Sequence, residues 1–211
     1  MGVGGDMENQ YASGSYNDTL KKQRLLSIIT NPINHFRQLK VNPIILKPLL
    51  IVIALQIILI YLNLYITNKQ ESGNVDLLLK SLVAGGANVV LLLLTALLFR
   101  FLLYLLKNNT EYKKLFSIVI HAAVITVVGM CVNTLLTYTF GGAMHTYTSP
   151  AIIFEEGSFL YTLSVGLDIF SIWTSIIMGI GLKVVAEISN SKAVTLTILL
   201  FVLSFLSTYL S

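Results

Sequence analysis

Residues 49–67 read LLIVIALQIILIYLNLYIT. The stretch holds no Asp, Glu, Lys or Arg, and it matches the roughly 20 apolar residues needed to cross a bilayer. Four more stretches of the same kind follow it, at 81–99, 115–140, 159–182 and 193–210. Short polar connections join them. Among the charged residues only Asp168 falls well inside a segment. The sequence therefore predicts an all-α fold, a bundle of five transmembrane helices. Any chemistry would rest on a few buried polar side chains.

The totals agree. The chain of 211 residues is 55% hydrophobic and 11% charged, against about 25% charged in soluble domains. Five spans use about half the chain and leave no room for a second folded domain. The single cysteine, Cys131, excludes an internal disulfide and a multi-cysteine metal site.

Positive charge gives the orientation. Lys21, Lys22, Arg24, Arg37, Lys40 and Lys47 precede the first segment. Arg100, Lys107, Lys113 and Lys114 lie between the second and third, and Lys183 and Lys192 between the fourth and fifth. The alternate connections hold only Lys69 and Lys80. Lys and Arg favour the cytoplasmic side. The expected N-terminus is therefore cytoplasmic and the C-terminus outside. The first segment starts too far into the chain for a cleavable signal peptide and is expected to act as an internal signal anchor.

Residues 1–17 are rich in Gly, Ser, Asn and Tyr and are expected to be a disordered tail. Residues 18–47 read as an amphipathic juxtamembrane segment. Leu25, Leu26, Ile28 and Ile29 lie beside Lys21, Lys22 and Arg24, and Asn31-Pro32 breaks the helix. A second piece carries Ile33, Phe36 and Leu39, with Arg37 and Lys40. This segment is expected on the inner membrane face, its cations against anionic lipid. Residues 48–211 form the transmembrane domain.

The fourth segment and its flank carry a pattern. Asp168-Ile169-Phe170-Ser171-Ile172-Trp173, Gly179-Ile180-Gly181-Leu182 and Ser191-Lys192-Ala193, with Asn31-Pro32, Phe36, Pro43 and Pro48 upstream, resemble bacterial members of the Yip family. That family is named for proteins interacting with Ypt/Rab GTPases. The resemblance implies five transmembrane helices, a cytoplasmic N-terminus and a bacterial plasma-membrane location. It also implies a non-enzymatic role alongside other membrane proteins. Some bacterial members accompany ABC-type exporters in antimicrobial-peptide resistance. No catalytic residue carries over, and the long acidic, Pro-rich N-terminal region of many eukaryotic members is missing here.

Asp168 is the leading polar candidate, expected near the midplane, where a bare carboxylate costs several kcal/mol. It either cycles a proton or binds a cation, or it locks the bundle through hydrogen bonds. Its expected partners are His121 and Asn133 in the third segment and Asn88 in the second. Gln56 in the first is a lesser candidate. Ser171, Ser175 and Gly179 recur every four residues and are expected to let helices approach closely, within one chain or between copies. No phosphate-binding glycine loop, zinc-protease motif or hydrolase elbow occurs, and no metal, cofactor or nucleic-acid partner is expected. The leading reading is a membrane protein that associates with another membrane complex, such as an exporter, or organises membrane. The alternative is a small ion- or proton-coupled transporter or channel using Asp168.

Overall fold

The computed structural model describes residues 25–67, 73–142, 147–155 and 157–210, with side chains as far as 203. The expected tail and Lys21, Lys22 and Arg24 lie outside these residues. Every regular element among the described residues is helical. They are α1 (Ser27–Thr30), α2 (Pro32–Val41), α3 (Leu46–Thr67), α4 (Asn74–Leu105), α5 (Tyr112–Phe140), α6 (Phe159–Val165), α7 (Ile169–Val185) and α8 (Asn190–Leu210).

Three of these, α3, α4 and α5, are long and apolar enough to cross a membrane. α6 and α7, bent by 42° at a short break, are together long and apolar enough to be a fourth candidate span if the pair counts as one. α4 has 32 residues, about 48 Å at 1.5 Å per residue. That exceeds the roughly 30 Å hydrocarbon core, so the helix tilts or projects.

α5 is the axis of the bundle: α3, α4 and α7 pack along it, and most of its span is buried. Missing side chains allow the closest approaches. A Cβ on Gly129 would meet Phe170 of α7 at 2.6 Å, and one on Gly181 would meet Ile118 of α5 at 2.5 Å.

Most of the described Lys and Arg residues gather at one end. There, Arg100 donates to the carbonyl of Thr110 (2.8 Å), and Asn108 donates to the carbonyl of Ala186 (2.8 Å). The first bond braces the α4–α5 turn, and the second ties it to the α7–α8 turn. Lys40 of α2 pairs with Glu187, and this ammonium holds the Glu187 carboxyl below its ordinary range.

α1 and α2 form a short arm across this basic end. Asn31 caps α2 by accepting from the Asn34 N–H, and Pro32 opens the helix, as the Asn-Pro pair implied. The arm is amphipathic, but its apolar side is divided. Ile28, Phe36 and Leu39 are buried in the protein core, while Leu26 and Ile33 stay exposed. α2 packs on α7 and α5, so much of the expected lipid-facing stripe is bundle core. Phe36 fits because Gly181 has no side chain: a Cβ there would sit 3.0 Å from its ring.

Candidate functional site

The break in the fourth span is the most structured polar site. The apolar run 159–182 does not continue as one helix: α6 stops at Val165 and α7 starts at Ile169. Asp168 is the N-cap of α7, and its Oδ1 accepts from the Ser171 N–H at 2.9 Å. Aspartate is among the best residues for this role, because a new helix start leaves N–H groups unpaired. The carboxylate also lies at the positive end of α7, where negative charge is favoured.

The other oxygen is held from the opposite side. Thr148, in the connection after α5, donates its hydroxyl to Asp168 Oδ2. That hydroxyl in turn accepts from Asn133 Nδ2 of α5 at 2.6 Å. The same amide donates to the Gly129 carbonyl at 3.1 Å, and the Ile169 N–H donates to the Thr148 carbonyl at 3.1 Å. Asn133, Thr148 and Asp168 thus form one chain of hydrogen bonds that stitches the long connection into the break. Asp168 is 5% exposed and Asn133 fully buried. The connection itself folds inward here: Pro150–Ile153 make a 3-10 turn whose Ala151 is buried.

The expected partners of Asp168 separate. Asn133 reaches it, but only through Thr148. His121 lies twelve residues from Asn133 on α5, about 18 Å along the helix, and faces the arm instead. Its Nδ1–H donates to the Ser117 carbonyl at 2.7 Å. Its ring lies 4.9 Å from the ring of His35 on α2, and His35 Nδ1 meets the Ser27 hydroxyl at 2.7 Å. Both rings are buried. Burial, and then the neighbouring His121, push the His35 pKa down from 6.5 to about 4. Asn88 is half-buried on α4 and takes no part in either group. Gln56 is buried on α3, its Oε1 without a hydrogen-bond partner among the described residues. The same is true of Asn133 Oδ1, Thr134 Oγ1 and Thr137 Oγ1 on α5.

The small-residue row of α7 is used unevenly. A Cβ on Gly179 would come within 2.8 Å of Thr197 of α8, so this position sets the α7–α8 contact. Ser175 bonds back to the Ser171 carbonyl at 3.0 Å, and Ser171 is exposed. Of the expected lipid-surface cations that are described, Arg37 is exposed and bonds Asn34, while Lys40 is paired with Glu187. Among the described residues no group of three or more metal-capable side chains converges.

The Yip1 domain family matches residues 26–211. The chain belongs to the Yip1 domain family. The match spans the arm, the bundle and the break, so it covers every element described above. The chain is also similar to the membrane protein YknW of Bacillus subtilis strain 168. The two are 27% identical over 199 residues, which is 86% of each chain. No solved structure matches. The Yip1 membership makes this a multi-pass integral membrane protein, in contact with lipid along its apolar helices.

Thr148 and His35 are the residues that sequence reasoning missed. Thr148 sits in a polar connection without any motif around it. The cap itself did have a signal: an Asp directly after Gly166-Leu167 and just before an apolar helical run is a good N-cap. An uninterrupted apolar run masks that signal.

Proposed function

We propose that this Yip1-family chain is a non-enzymatic, five-span protein of the bacterial plasma membrane. Its N-terminus is cytoplasmic and its C-terminus outside. It works by associating with another membrane complex, of which an ABC-type exporter is the leading candidate. One observation carries the choice of an associating protein over a transporter. The acid at the break between α6 and α7 has both oxygens engaged, one by a helix cap and one by Thr148. A carboxylate whose two oxygens are each held by a hydrogen bond at a helix break supports a structural role.

Further support comes from shape and charge. α8 has 21 residues, about 30 Å and long enough for a fifth span. The basic groups cluster at one end of the bundle, as a cytoplasmic face requires. α4 is little covered by the rest of the chain. Its exposed Leu82, Val83, Leu91 and Leu94 offer a long apolar face for lipid or for another membrane helix.

The test has two parts. Photo-cross-linking groups at positions 82 and 94 should give adducts with an exporter subunit in native membranes. The purified protein in liposomes should pass no protons or monovalent cations above empty vesicles. Adducts with lipid alone, or a flux that Asp168→Asn abolishes, would reverse the reading.

A further inference from the structure

We infer that the groove between α7 and α8 is a binding site for an anionic phospholipid, with the headgroup on Lys183 and an acyl chain along the groove. The site is independent of the partner proposed above. Its apolar walls are formed mainly by Ile176 and Ile180 of α7 and Val194 and Ile198 of α8, and Lys183 and Asn190 stand at its mouth. The Thr197 hydroxyl in the wall donates to the Ala193 carbonyl of its own helix at 2.9 Å, so it makes no demand on an occupant. The polar groups thus lie at the basic end of the bundle and the hydrocarbon surface extends away from them. A phospholipid has the same order of parts along the membrane normal.

The groove holds about 420 Å³, and from Lys183 to Ile176 is about 10 Å along α7, at 1.5 Å per residue. A hydrocarbon chain can lie along it. Charge selects among lipids. Lys183 is exposed, and among the described residues it makes no ion pair, whereas Lys40, Lys80 and Lys114 each hold a carboxylate. Its ammonium is therefore available to a phosphate-bearing headgroup, and anionic lipid gains most from a cation at this level. A second groove of about 400 Å³ lies between α3 and α4, lined by Ile57, Tyr61 and Leu78 among others, and has no Lys or Arg in its wall. It serves as an internal control.

The experiment is native mass spectrometry of the full chain, released from micelles holding equal amounts of phosphatidylglycerol and phosphatidylcholine. The wild-type protein should retain phosphatidylglycerol in preference. Lys183→Gln should lower the retained ratio of phosphatidylglycerol to phosphatidylcholine about fivefold, the worth of one cation near a headgroup. Val194→Trp, which fills the groove from an exposed position, should remove the preferentially held lipid altogether. Lys80→Gln, at the opposite end, should leave the ratio as in the wild type. A wild-type ratio in Lys183→Gln, or a Val194→Trp protein that still holds phosphatidylglycerol, overturns the proposal. Cross-links from position 194 to a protein helix instead of to lipid do so as well.

Discussion

Replacing Asp168 by Asn should cost less than about 1 kcal/mol, because Asn caps helices nearly as well and keeps an acceptor for the Ser171 N–H. Replacing it by Leu removes the cap and leaves the Ser171 N–H and the Thr148 hydroxyl short of an acceptor, a loss of about 1–3 kcal/mol. Thermal unfolding in detergent separates the two variants. An Asn variant as unstable as Leu would show that the negative charge itself holds the break. His35 gives a second prediction at this scale. Its folded pKa of about 4 lies below the ordinary 6.5, so the docked arm favours the neutral ring. Docking stability is then complete above about pH 6.5 and is lost as pH falls towards 4. The groups around it are the Ser27 hydroxyl and the rings of Phe36 and His121. A spin label at position 37 should gain mobility across that window, and His35→Gln should flatten the response. A label whose mobility is independent of pH in the wild type would remove His35 from arm docking.

Between elements, glycines decide how closely helices pack. Gly181→Ala places a methyl 2.5 Å from Ile118 and 3.0 Å from Phe36, and should cost about 1–3 kcal/mol through overpacking. It should also loosen the arm, since Phe36 is its buried anchor. Gly86→Ala meets nothing within 4 Å and should gain up to about 1 kcal/mol from helix propensity. Opposite shifts in melting temperature are expected, and equal shifts would contradict the packing described for α2, α5 and α7. The sequence displayed these elements to different degrees. Hydrophobic runs depend on each residue alone, so α3, α4 and α5 could be read from length and composition. The break after Val165 could not, because Gly166 and Leu167 continue the apolar run and only the capping chemistry of Asp168 marks it. The Asp168–Thr148 and His35–His121 contacts depend on how distant elements meet. No local pattern encodes that, so Thr148 and His35 stayed hidden while Asp168 and Asn133 stood out as rare polar residues in apolar surroundings.

For the whole molecule, the arm, the α4–α5 turn and the α7–α8 turn share one basic end, joined by Asn108 to Ala186 and Lys40 to Glu187. The connection after α5 closes the other end through Thr148. The reading of five spans, cytoplasmic N-terminus and outside C-terminus assigns those ends to the two sides of the membrane. The direct measurement is labelling of intact cells with an impermeant thiol reagent. Single cysteines at Ser72, Asn109, Glu155 and Ser191 are placed in a Cys131→Ser background. Positions 72 and 155 should label from outside, and positions 109 and 191 only after the cells are opened. Labelling of position 109 or 191 in intact cells would contradict the account.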